Sequence, residues 1–185
     1  MNKVIAIALW TPLLLVSCVS NGGDAGSRRQ SQVVDQSGLP VVPGDFKVDV
    51  ERIPGRGADR GCKSVVYADG TVQFFIKTKE YILDSAWRVD LSKVREISAR
   101  LGDVHYFALG DRYAMQIRDC SYTVIGATDA QREKRVVNLW VGARSRIAYP
   151  ESVDVAHHEL LDSLAQKIEE LAGSRQKVVA TMGLE

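Results

Sequence analysis

The chain has 185 residues, 45% of them hydrophobic and 25% charged. That make-up suits one globular domain with appendages and excludes a disordered chain, which carries fewer apolar side chains and more net charge. The 24 Lys and Arg against 23 Asp and Glu leave a formal charge of +1, so charge gives no pull toward nucleic acid.

At the N-terminus, Lys3 supplies a short basic region and Val4–Val16 is apolar apart from Thr11 and Pro12. At ~1.5 Å per residue this run is too short to cross ~30 Å of hydrocarbon as a helix. A polar, glycine-rich stretch follows at once, which argues against a core helix and for a signal-peptide h-region. Leu15-Val16-Ser17-Cys18 then resembles the lipobox of bacterial lipoproteins: an aliphatic residue, a tolerant position, a small residue and cysteine. The resemblance implies diacylglycerol transfer to the Cys18 thiol, removal of residues 1–17, and acylation of the new amine. Two or more acyl chains hold a protein stably to a bilayer. Val19 stands where enterobacterial lipoproteins retained at the inner membrane carry aspartate, so the resemblance implies the outer membrane, facing the periplasm, in a diderm. The alternative is an ordinary secretory cleavage site that contains a cysteine.

Residues 18–44 read as the lipidated cysteine and a flexible tether, rich in Ser, Gly, Asn, Gln and Asp and ended by Pro40, Pro43 and Gly44. As coil it would reach roughly 25–30 Å. Residues 45–173 read as a single domain and 174–185 as a C-terminal tail. Phe46, Val48 and Val50 alternate with charged residues, the signature of a half-buried strand. Asp69-Gly70 between the β-rich runs Ser64–Tyr67 and Thr71–Ile76 predicts a hairpin, because its turn needs positive φ. Trp87–Val89 reads as a short strand. Leu91, Val94, Ile97, Leu101 and Val104 fall on one helix face, with Asp90 or Ser92 as cap and Gly102 as stop. Tyr122–Ile125 and Val136–Val141 read as a second antiparallel pair joined by a polar loop, Thr128–Lys134. Val153, Ala156, Leu160, Leu161, Leu164, Ile168 and Leu171 mark a long closing helix between Pro150 and Gly173.

Hairpins grouped with two helices predict an α+β fold: an antiparallel sheet of about five to six strands with both helices on one face. The expected inward residues are Val48, Val66, Phe74, Val124 and Val137. The order of these motifs also resembles a family of small bacterial exported domains of unknown function, over residues 45–172. The likeness rests on a glycine-rich loop leading to Cys62, the hairpin turn Asp69-Gly70-Thr71-Val72, a Leu91–Leu101 helix, His105-Tyr106-Phe107 and a Leu-rich last helix. Members often carry two cysteines around the glycines, where this chain has only Cys62. The resemblance implies the same α+β fold and an envelope location, and it brings no activity, so no catalytic residue is assigned.

Setting Cys18 aside leaves Cys62 and Cys120, an even pair that suggests a disulfide in an oxidising compartment. Such a bridge would close a loop of about 58 residues, worth ~4 kcal/mol by loop-closure entropy. The alternatives are two separate buried thiols, or a reactive Cys62 whose pKa is lowered by Arg60 or Lys63. Gly57–Ser64 looks superficially like a phosphate-binding loop, but its spacing is wrong and it leads into a strand rather than a helix. Arg52, Arg56, Arg60 and Lys63 make this region basic, and Arg56, Arg60 and Lys63 are candidate contacts for an anionic envelope ligand. Adjacent His157 and His158 point ~100° apart on a helix and do not make a shared metal site. His105 stands alone in sequence, and Trp87 and Trp140 read as core or sheet-face residues or as a sugar-stacking platform. No metal, cofactor or catalytic group is expected.

The sequence thus leads to a membrane-anchored envelope lipoprotein, a non-catalytic binding or structural module with an envelope protein or cell-wall partner. The alternatives are a small thiol enzyme using Cys62 and an inhibitor or immunity-type lipoprotein.

Overall fold

The computed structural model describes residues 41–55, 60–114, 120–130, 132–139 and 154–183. The signal peptide, Cys18, Arg56, Trp140 and most of the tether lie outside the described residues. The domain is α+β, as expected, but among the described residues its sheet has seven strands and is mixed. The strands are β1 (Lys47–Ile53), β2 (Gly61–Tyr67), β3 (Thr71–Lys77), β4 (Tyr81–Arg88), β5 (Arg112–Ala114), β6 (Tyr122–Asp129) and β7 (Arg132–Leu139). Their order is β4-β3-β2-β1-β6-β7-β5, antiparallel except where β5 runs parallel to β7. Three α-helices are described: α1 (Leu91–Asp103), α2 (Val155–Leu171) and α3 (Arg175–Met182).

The strand period of two divides the sheet into a helix side and a helix-free side. Val48, Val50, Val66, Val72, Ile125, Ala127 and Val136 point to the helix side. There they meet Val94, Ile97 and Leu101 of α1 and Leu161, Leu164, Ala165 and Ile168 of α2 in one core. Ile125 and Val136, not Val124 and Val137, take the inward positions. Each strand therefore sits one residue out of the expected register, which places its alternate set on the other face. Tyr106, in a single 3₁₀ turn (Tyr106–Ala108) after α1, is fully buried, and its hydroxyl donates to the Ile125 carbonyl at 2.6 Å.

The Asp69-Gly70 hairpin forms as predicted, with Gly70 at φ +82°. A Cβ there would lie 2.4 Å from the Val89 carbonyl oxygen, so the backbone conformation and the space both require glycine. Asp69 accepts from the Thr71 amide and hydroxyl, which fixes the turn. The polar loop expected at Thr128–Lys134 is instead a tight turn at Ala130 with the strands running into it. Gly173 ends α2 at φ +71°, as expected. The predicted tail is α3, which lays Val178 against Cys62 and Phe74.

Candidate functional site

On the helix side, Cys62 of β2 sits 1% exposed among Phe74 and Val178. Burial pushes its thiol up to about 12, the Glu169 carboxylate adds to the rise, and Arg52 opposes it. The expected Cys62–Cys120 disulfide is corrected: the two sulfurs are not bonded to each other. Cys62 lies on β2 and Cys120 leads into β6, and β1 runs between those strands. Two strand spacings of ~4.8 Å exceed the ~4.4–6.8 Å Cα separation that a disulfide spans.

Beside Cys62, β1 carries Arg52 into a buried ionic network. The Arg52 guanidinium donates from Nε to Glu169 Oε1 at 2.7 Å and from Nη1 to Asp162 Oδ1 at 3.0 Å and Thr123 Oγ1 at 2.8 Å. Arg175 of α3 donates to Glu169 Oε2 at 2.7 Å. Burial disfavours the Arg52 charge, but the Glu169 and Asp162 carboxylates outweigh it and hold the guanidinium above its ordinary value. Glu169 is fully buried between the two guanidiniums. The group ties α2 and α3 to the central strand, and Arg52, one of the basic residues of the glycine-rich region, is spent on it.

On the helix-free side, two acids of β1 lie among long side chains. Glu51 is 4% exposed. Its Oε2 accepts from Arg135 of β7 at 2.6 Å, and its Oε1 accepts from Lys77 of β3 at 3.4 Å and from the Tyr81 hydroxyl of β4. Burial raises the Glu51 carboxyl, but Tyr81, Arg135 and Lys77 together hold it below its usual value. Asp49 lies 3.2 Å from Lys63 Nζ, an ion pair without hydrogen-bond alignment. Gly126 faces it across the ladder, where a Cβ would come 2.6 Å from Asp49 Oδ1. Lys77 Nζ also sits 4.8 Å from the Tyr81 ring centroid. Lys63 is thus engaged inside the sheet face, and Arg60 stands exposed just before β2.

The histidines hold elements together. His158 is buried, with Nδ1 2.5 Å from Asn138 Oδ1, while the Asn138 amide donates to the His158 carbonyl at 3.1 Å. Burial pushes its imidazole below the ordinary value, against the pull of Asp154. His157 stacks on Tyr113 of β5 at 5.0 Å and meets the cap residue Asp154. His105 holds the left-handed turn after α1 at φ 49°. Trp87 donates to the Ala172 carbonyl at 2.8 Å, pinning β4 to the end of α2. Among the described residues, no group of three or more His, Cys, Asp and Glu is placed to hold a metal ion.

Beside the Glu51 network, which holds the Tyr81 hydroxyl, lies the outer edge of β4. Thr78–Asp84 is continuously exposed, with Tyr81 at 38%, Ile82 at 61% and Leu83 at 51%. Only Trp87–Val89 was legible as a strand there. The Phe74/Phe75 register shift inserts Asp84 as an extra residue and breaks the alternation that would have announced the rest. No protein-family model matches the chain, and no curated protein is found to match it.

Proposed function

We propose that the chain is a membrane-anchored envelope lipoprotein whose α+β domain is a non-catalytic binding or structural module. The Leu15–Cys18 lipobox supports the anchor. The observation that carries the binding half is the exposed apolar run Tyr81-Ile82-Leu83 on a sheet edge. Large apolar side chains on an unpaired edge favour self-association unless they serve a partner. The buried ionisable groups described above face one another and tie strands to strands or to helices, so they account for architecture.

The thiol-enzyme alternative needs a reachable thiolate. Cys62 is sealed beneath α3 with its pKa raised to about 12, the reverse of an activated cysteine. Alkylation of the native protein tests this. Cys62 is expected to stay unmodified until denaturant is added, with or without reductant. Rapid modification of native Cys62 would restore the thiol enzyme and remove the binding-module reading.

A further inference from the structure

We propose that His157 and His158 form an acid-released latch that holds the short edge strand β5 and the first turn of α2 on β7. The latch goes beyond the binding-module reading and stands whether or not the chain is anchored. β5 spans three residues and has no buried side chain, so it is held through its pairing with β7 and through the half-buried Tyr113. His158 is the first buried residue of α2, so it seats the first turn of that helix. Its Nδ1 lies 2.5 Å from Asn138 Oδ1, and the Asn138 amide donates to the His158 carbonyl at 3.1 Å. Tyr113, the residue opposite Asn138 on β5, stacks on His157 at 5.0 Å and meets the His158 ring edge-on at 6.3 Å. Side chains of β5, β7 and α2 thus interlock at one corner of the sheet.

Neutral imidazoles suit this corner and charged ones do not. An amide oxygen only accepts, so the His158 proton sits on Nδ1 and the neutral ring already satisfies Asn138. A second proton places a buried charge in the first turn of a helix, where the macrodipole is already positive, and beside His157. Among the described residues, Asp154 is the carboxylate acting on both rings. It is committed as the cap, accepting from the His157 amide at 3.2 Å and meeting the His157 ring. Asp162, one turn further along α2, is bound to Arg52 of β1. On β5, Arg112 lies opposite Val137 on the helix-free side, and just before it Asp111 pairs with Lys134 of β7. Burial therefore outweighs Asp154 in its effect on His158. Leu161, Leu164, Ile168 and the Arg52–Glu169 contact hold the rest of α2 to the core. Acid thus opens this corner before the domain unfolds, and uncovers the β7 edge that β5 occupies.

Hydrogen exchange of the full-length chain, resolved by residue and corrected for the intrinsic effect of pH, tests the latch. The reporter is the Val137 amide, which donates to the Asp111 carbonyl at 2.9 Å where β5 meets β7. Its protection should fall by up to about tenfold for each pH unit below 6.5, the limit for one proton taken up on opening. The amides of β1 and of α2 beyond Leu164 should keep their protection over the same range. His158→Gln, whose amide can donate to Asn138 but does not titrate, should make Val137 protection independent of pH there. Constant Val137 protection in the unaltered chain would overturn the latch, and so would a loss shared equally by β1 and all of α2. A pH-dependent loss that persists in folded His158→Gln would do the same. If that variant does not fold, the profile of the unaltered chain decides alone.

Discussion

The most exacting residue in the domain is Glu169. It is fully buried, and it is acceptable there because Arg52 meets both its oxygens and Arg175 meets one. Removing one partner of a buried ion pair costs about 3–5 kcal/mol, since the remaining charges lose their compensation. Glu169→Gln keeps the shape and removes the charge, so it should lower the unfolding free energy by about that much, read as a lower urea midpoint. An unchanged midpoint would mean that water already solvates the two guanidiniums. Nothing in the sequence announces this site. Glu169 sits among ordinary helix charges, and Arg52 is 117 positions away, in a run read as ligand-binding. Cys62 shows the same blindness: counting cysteines paired it with Cys120, but only strand order reveals that β1 stands between their strands. Gly70 was legible because a two-residue turn states its own backbone requirement.

Among the elements, legibility followed regularity. β1, the β2–β3 hairpin, α1 and α2 carry unbroken periods of 2 or 3.6 residues, and all four form close to where those periods place them. β4 was read from its last residues only, because its entry turn, Thr78–Glu80, has no glycine, proline or asparagine, and because Asp84-Ser85 interrupts the alternation. β5 is three residues long and pairs with β7 in parallel, a long-range contact with no local signal. α3 has little amphipathic character over its eight residues, so it read as a tail, and its one buried valine locks it onto β2. The inward set on β6 and β7 was wrong by one position because both alternate sets are apolar there: Val124 and Ile125 are both buried, on opposite faces. The β4 edge, where the function is proposed, is thus the part of the sheet the sequence disclosed least.

For the whole molecule, the perturbed groups predict acid sensitivity in two stages. His158 is held below its ordinary value of 6.5 in the fold by burial. The unfolded chain therefore binds that proton more readily, so the stability is present above 6.5 and is lost as pH falls below 6.5 toward the lower folded value. Glu51, held below its ordinary 4.5, adds a second loss as pH falls below 4.5. Urea midpoints should fall as the pH drops below 6.5 and fall further as it drops below 4.5, and His158→Gln should remove the first step. A midpoint that is constant or rises on acidification would contradict the assignment. Both steps concern packing. The proposed location and role rest on the N-terminal lipobox and the exposed β4 edge, and the proposed anchor can be read directly. The measurement that tests it most directly is the intact mass of the chain extracted from membranes. A lipoprotein yields a mature chain beginning at a diacylated or triacylated Cys18, with residues 1–17 absent. A mass without acyl chains, or one that retains the apolar Val4–Val16 run, would contradict it.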